Sequence, residues 1–168
     1  DGLSLRVRGY VSVQELDKAE RLLQRITNRK QALAKAVLLA GQRKFDELIE
    51  LAFAAESDAE LSRADLTSVQ LVAARAAWSG STENVTLLND LNELPLSGAI
   101  GTDLALAEKS WFMAQRCLDG LRQSGWPPNT DVLAPVLCGV AGLLGKQAEA
   151  IQLLADAPTA RPEYVDLQ

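Results

Sequence analysis

The sequence predicts an all-α protein: a right-handed stack of about seven or eight helices in antiparallel hairpins, with an extended N-terminal arm. Three observations support this prediction. Apolar residues recur at the 3,4 spacing of one buried helix face, the loops between such segments are short, and similar hairpin patterns recur along the chain. With 168 residues, 48% of them hydrophobic and 23% charged, the chain is long enough for one core and too apolar for disorder.

The first elements are predicted from residue alternation and capping residues. Residues Leu3–Val13 alternate loosely between apolar and polar and contain β-branched side chains, which predicts an extended arm over residues 1–12, with a short strand as the alternative. Ser12, with Glu15 three positions later, is typical of a capping box and predicts a helix that continues to about Thr27. Asn28 is the predicted cap of the next helix, which Gly41 ends.

The later elements are predicted from apolar periodicity and from glycine and proline, which interrupt helices. Gly80 and Pro95 each follow a periodic segment, and Gly145 separates the two helices of the last predicted hairpin. We expect one helical-repeat domain over residues 13–168, after the arm at 1–12. Its helices beyond Gly41 are expected over 45–56, 61–79, 82–94, 102–124, 131–144 and 146–157.

The composition excludes several kinds of catalytic and metal site. The chain has no histidine, so Ser/His/Asp and Cys/His triads and mixed Cys/His zinc sites are impossible. Its two cysteines, Cys117 and Cys138, lack the spacing of a redox motif. We expect two reduced thiols in the core, with a disulfide as the alternative. The chain contains no stretch of about 18 uninterrupted apolar residues, which a membrane-spanning helix would need. No cofactor or metal site is predicted.

Charge is divided unevenly along the chain. Residues 1–44 contain ten Lys/Arg and four Asp/Glu, a net charge of +6, whereas the remainder contains seven and eighteen, a net charge of −11. Such polarity can steer a charged partner. The acidic majority is unusual for a nucleic-acid-binding protein, which is normally basic overall.

Three arginines in the basic part are candidate partner-binding residues. Arg21, Arg25 and Arg29 recur at i, i+4, so they would form one stripe on a continuous helix. Three interpretations are open: a solvated face, an interface with an acidic protein surface, or contacts with a phosphate backbone.

The hairpin patterns repeat with irregular spacing. An aliphatic pair begins seven or eight residues after each of Gly41, Gly80 and Gly145. Ala19, Ala114 and Ala150 each precede two larger apolar residues by one helical turn. A small side chain there lets a neighbouring helix approach, and the larger pair fills the space between hairpins.

The C-terminal part resembles a pentatricopeptide repeat (PPR). The motif runs from Ala114 through Cys117 and Leu118 to a turn containing Gly125 and Pro128, and a second hairpin pattern follows it. The resemblance implies an α-solenoid. In that family an early polar residue of the first helix reads an RNA base, whereas the corresponding segment here is Val-Leu-Ala-Pro at 132–135. Sequence-specific RNA binding is therefore the weaker alternative.

In size and repeat style the chain is similar to the PPR-like accessory subunit of the euglenozoan mitochondrial F-type ATP synthase. That resemblance implies a non-catalytic subunit that attaches to the α subunit of the catalytic head and is located in mitochondria. The chain begins at Asp1 rather than Met, so we expect a processed or trimmed product, in which a cleaved targeting segment would not be visible. A mitoribosomal or other PPR-type scaffold, or a PPR-type RNA-binding protein, is the alternative.

One segment is similar to a phosphate-binding loop. Gly139 and Gly145 are followed by Lys146, but five residues separate the glycines instead of four, and Gln147 replaces the Ser or Thr that would bind magnesium. We expect this segment to be a helix-packing turn.

Two further groups of residues are interpreted as structural. Three carboxylates lack the glycine and spacing of a calcium loop, so a solvated helix start is expected of Asp58, Glu60 and Asp65. The tryptophans lie in or beside apolar helix segments, so core packing rather than base stacking is expected of Trp78, Trp111 and Trp126.

Overall fold

The computed structural model describes residues 2–27, 30–90, 103–124 and 133–155, with the side chains of the longest helix described as far as Ser81. Within these residues the chain is all-α, as predicted, and forms eight helices. They are α1 (Gly2–Ser12), α2 (Leu16–Leu23), α3 (Gln31–Gly41), α4 (Phe45–Glu56), α5 (Arg63–Asp90), α6 (Leu104–Ser124), α7 (Leu133–Leu144) and α8 (Gln147–Ala155).

The helices pack in a regular order. Each helix contacts the next one in the sequence, and each odd-numbered helix also contacts the next odd-numbered helix. The odd-numbered helices therefore lie side by side. Among the described residues the even-numbered helices make no backbone contacts of similar extent with one another.

Three connections between consecutive helices share one backbone geometry. A residue with positive φ follows the first helix, namely Gln14 (62°), Arg43 (60°) and Gly145 (68°). The next amide donates to a carbonyl five residues back, which is the Schellman motif. These bonds are Glu15 N to Tyr10 O (2.9 Å), Lys44 N to Leu39 O (3.0 Å) and Lys146 N to Ala141 O (2.9 Å). Of the three positive-φ residues, the sequence pattern predicted only Gly145.

The predicted extended arm over residues 1–12 is wrong, because residues 2–12 form helix α1. Val7 is fully buried, and Leu3, Tyr10 and Val11 pack around the same cluster. These positions follow the helical spacing of one face. The apparent alternation counted Leu5 as a core residue, but the Leu5 side chain is 67% exposed.

The predicted capping box is also wrong. Ser12 is the last residue of α1, and its hydroxyl donates to the Gly9 carbonyl oxygen (2.8 Å). Helix α2 begins at Leu16 and ends at Leu23, four residues before the predicted end at Thr27. Asn28, the predicted cap of the next helix, lies outside the described residues.

The break predicted at Gly80 is wrong as well, because α5 continues through it to Asp90. A Cβ at Gly80 would lie 2.6 Å from Phe45 Cε2 and 3.0 Å from Leu106 Cδ2. The glycine therefore allows close approach of neighbouring side chains and does not end the helix. The predicted separate helix over 82–94 is the end of α5 as far as Asp90, and the residues beyond it are outside the described part.

The buried apolar residues form two clusters that share helix α3. Ala34 and Leu38 pack with α1 and α2 around Val7. Leu33 and Leu39 belong to the larger cluster, which extends from α3 to α8. Helix α3 thus connects the basic N-terminal hairpin to the remainder of the protein.

Candidate partner-binding surfaces

The three candidate arginines do not lie on one helix. Arg21 is exposed in the last turn of α2, and Arg25 is exposed in the turn after it. Arg29 lies outside the described residues. Because α2 ends at Leu23, the described chain does not align Arg21 and Arg25 along a continuous helix. Their role in partner binding stays a prediction.

A groove of about 350 Å³ lies along the odd-numbered helices. Helices α1, α3 and α5 line it, and Phe45 at the start of α4 contributes its ring. We call it the odd-helix groove. Its apolar lining consists of Val11, Val37, Ala40, Val72 and Ala76, together with Gly41 and Phe45.

The charged residues that line the odd-helix groove are both arginines, Arg43 and Arg75. Arg43 has its guanidinium 5.6 Å from the centroid of the Phe45 ring, a cation–π geometry. Arg75 is exposed in the middle of α5. Since no carboxylate lines the groove among the described residues, the two arginines favour a negatively charged occupant.

A second, polar cleft of about 490 Å³ is bounded by the end of α4, the start of α5 and the C-terminal half of α6. From α5 it receives Leu66, Thr67 and Gln70, whereas the groove receives Val72, Arg75 and Ala76. At 3.6 residues per turn these two sets point to roughly opposite sides of α5. The groove and the cleft are therefore on different sides of the protein.

The polar cleft contains a bidentate ion pair. Arg116 of α6 donates through Nε and one terminal nitrogen to the two carboxylate oxygens of Glu56. Gln70 Nε2 also donates to Glu56 Oε1 at 3.0 Å. The hydrogen bonds from Arg116 lower the pKa of Glu56, and this effect outweighs the opposing effect of partial burial. The pair joins α4 to α6 directly.

Two further contacts join α4 to α6, and with the bidentate pair they form the even-helix bridge. Lys109 Nζ lies 2.7 Å from Asp46 Oδ1, which raises the pKa of Lys109. The rings of Phe53 and Phe112 are 5.7 Å apart between centroids and tilted by 39°. The bridge therefore consists of side-chain contacts only: Asp46–Lys109, Phe53–Phe112 and Glu56–Arg116.

The cysteine prediction holds for one residue. Cys117 is buried, its thiol donates to the Thr67 carbonyl oxygen at 3.6 Å, and burial raises its pKa to about 12. Cys138 is exposed on α7, so its prediction as a core thiol is wrong. Both cysteines are free.

The tryptophans agree with the core prediction where they are described. Trp111 is buried, and Trp78 is half-buried against the larger cluster. Trp126 lies outside the described residues. In the segment similar to a phosphate-binding loop, Gly139 lies inside α7 and its position faces the Trp78 ring, which agrees with a packing role.

Sequence reasoning missed the residues of both cavities. Arg43 entered only the charge count, and nothing in the local sequence relates Arg75 to Val11 or Val37, which are more than thirty positions away. The signal for the even-helix bridge was present as acidic and aromatic residues on α4 and basic and aromatic residues on α6, spaced three, four or seven apart. Such spacing shows that the residues of one helix share a face, but it does not show which other helix that face contacts.

Within the described ranges no group of three or more Cys, Asp or Glu side chains could hold a metal ion. No helix there is long and apolar enough to cross a membrane.

Three comparisons with known proteins add no family to these observations. No protein-family model matches the chain. No curated protein and no solved structure matches it either.

Proposed function

We propose that this protein is a non-catalytic accessory subunit that attaches to another protein of a larger complex, and that the odd-helix groove receives an acidic, partly apolar segment of that partner. The observation that carries the proposal is the chemistry of the groove: three helices supply an apolar floor, and the lining charges are both arginines. Interfaces are typically formed by such an apolar centre with arginine beside it.

The charge of the surrounding chain supports an acidic partner. Residues 1–44, which include Val11, Val37 and Arg43, carry a net charge of +6. Complementary charge increases the rate of association and excludes partners with the same charge. An apolar floor and a basic rim together favour a segment with acidic residues and one or two apolar anchors.

The order of helix packing supports an α-solenoid as the architecture that presents this groove. Contacts between consecutive helices and between successive odd-numbered helices are those of stacked helical hairpins, in which each repeat touches only its neighbours. The repeated Schellman turns at Gln14, Arg43 and Gly145 agree with this proposal. Such stacks commonly serve as extended protein-binding surfaces.

The complex that we propose is the catalytic head of a mitochondrial F-type ATP synthase, with its α subunit as the partner. The support for this choice is the sequence resemblance alone. A PPR-type RNA-binding or scaffold protein is the alternative. It has less support because Leu133, at the start of α7 where a base-reading residue would be expected, is an apolar residue buried in the core.

The test is native purification of the tagged full-length protein from its own cells, with the charge-reversal variant Arg75→Glu. Lys35→Glu is the matched control, because Lys35 is exposed on α3 and does not line the groove. We expect Arg75→Glu to lose the co-purifying proteins and Lys35→Glu to retain them. Equal retention by both variants would contradict the role of the groove, and nuclease-sensitive co-purification of RNA would favour the alternative.

A further inference from the structure

The even-helix bridge presents an aromatic pair to solvent. Phe53 is 42% exposed and Phe112 is 43% exposed, although their rings contact one another. Exposed single hydrophobic residues are normal, but neighbouring exposed rings form a patch. The guanidinium of Arg116 lies 5.2 Å from the centroid of the Phe112 ring and 6.0 Å from that of Phe53. An arginine over two partly exposed rings is chemistry that protein interfaces favour.

The charge around this pair is negative. Asp46, Asp103 and Glu50 all act on Lys109, and Glu56 and Asp119 act on Arg116. Arg122 in turn pairs with Asp119 at 3.7 Å, so five carboxylates accompany three cations along the even-helix bridge. This is the opposite of the odd-helix groove, where arginines are the lining charges.

From this charge complementarity we infer that Phe53 and Phe112 form a second docking surface, which binds a basic segment of a second protein through an apolar side chain laid over the two rings. The inference goes beyond the proposed function and does not depend on it. Because the polar cleft beside the rings and the odd-helix groove lie on opposite sides of α5, a chain with both surfaces connects an acidic segment of one partner to a basic segment of another.

The experiment uses the full-length protein and two fluorescent amphipathic peptides. Both peptides have leucines on one helical face, and the other face carries Lys in one peptide and Glu in the other. Binding is measured at physiological ionic strength for the wild type, for Phe53→Ser with Phe112→Ser, and for Ile151→Ser. Ile151→Ser is the control, because Ile151 is 70% exposed and lies on α8, which supplies no residue of the even-helix bridge.

The Lys peptide is expected to bind the wild type and the control equally and the double variant about tenfold more weakly, the loss typical of an interface anchor. Glu50→Lys, which leaves the rings in place, is expected to weaken the same peptide more than Glu149→Lys on α8. Two results would overturn the second surface: the Lys peptide does not bind the wild type, or it binds the double variant and Glu50→Lys as tightly as the wild type.

The Glu peptide separates this inference from the proposed function. Its binding is expected to respond to Arg75→Glu and not to the phenylalanine variants. If the Glu peptide behaves in this way while the Lys peptide fails to bind, the second surface is wrong and the groove stands. If the Lys peptide behaves as expected while the Glu peptide ignores Arg75→Glu, the proposed function fails and the second surface stands.

Discussion

The odd-numbered and even-numbered helices are joined by different kinds of contact. Odd-numbered helices approach each other over glycines: a Cβ at Gly41 would lie 2.5 Å from Val11 Cγ1, and one at Gly139 would lie 2.3 Å from Trp78 Cζ2. Helices α4 and α6 are instead connected by long side chains, such as Arg116 with Glu56. One side of the protein is closely packed and the other is bridged.

Because of this difference, we expect substitutions on the two sides of the protein to have different effects on stability. Close packing against glycine leaves no room for an added methyl group, so substitution there has a steric cost. An ion pair that is partly exposed contributes little, because solvent screens it. We therefore expect the odd-numbered side to determine the stability of the fold and the even-numbered side to tolerate substitution.

The largest expected effect comes from the glycines of α7. Gly139→Ala is expected to destabilise the protein by about 1–3 kcal/mol, because the new methyl group meets the Trp78 ring. Gly142→Ala is the matched control: nothing lies within 4 Å of its added Cβ, and alanine in a helix is expected to stabilise by up to about 1 kcal/mol. Urea denaturation measures both. The same sign for both variants would contradict the difference between closely packed and bridged helices.

An intermediate effect is expected from the bridge. Glu56→Gln is expected to cost about 0.5–1 kcal/mol at neutral pH, since Gln70 and Arg116 keep a neutral acceptor. Asp46→Asn is the control, because the Asp46 side chain is 81% exposed, and its loss should be smaller.

The pH dependence tests the same residue. The pKa of Glu56 is lowered from its ordinary value of 4.5, so its contribution to stability is fully present above pH 4.5 and is lost as pH falls through the lower, folded-state pKa. The difference in unfolding free energy between wild type and Glu56→Gln should therefore shrink below pH 4.5. A difference that stays constant with pH would contradict the ion pair as its source.

The smallest effect on stability is expected in the groove. Arg75→Glu should change the free energy of unfolding by less than about 0.5 kcal/mol, because Arg75 is exposed on α5. Thermal unfolding followed by circular dichroism measures this. A large loss would mean that Arg75 supports the fold, and its effect on partner binding would then be indirect.

The sequence predicted the helices whose ends have local signals. Helix α4 was predicted over 45–56 and is observed as Phe45–Glu56, and α6 starts two residues after its predicted start. The failures arose where local signals had a tertiary cause. The close packing of Phe45 leaves no room for a side chain at position 80, so Gly80 fits inside the helix without ending it. Helix α1 is stabilised by burial of Val7 against α3.

The candidate surfaces were less predictable than the fold. Charge counting located the basic N-terminal part, and helical periodicity located the helix over 45–56. Neither brings Arg75 beside Val37, or Phe53 beside Phe112, because these contacts depend on how separate helices pack. Arg21 and Arg25 show the converse: their spacing was regular, but α2 ends between them.

The most direct test of the central claim is photo-crosslinking from the odd-helix groove within the assembled complex. The reactive amino acid p-benzoylphenylalanine replaces Ser79, which lines the groove, or Gln152, an exposed control position on α8. The proposal predicts that position 79, and not position 152, crosslinks to one acidic segment of a partner protein. An assembled complex with no protein crosslink from position 79, or with crosslinks from it to RNA, would contradict the proposed function.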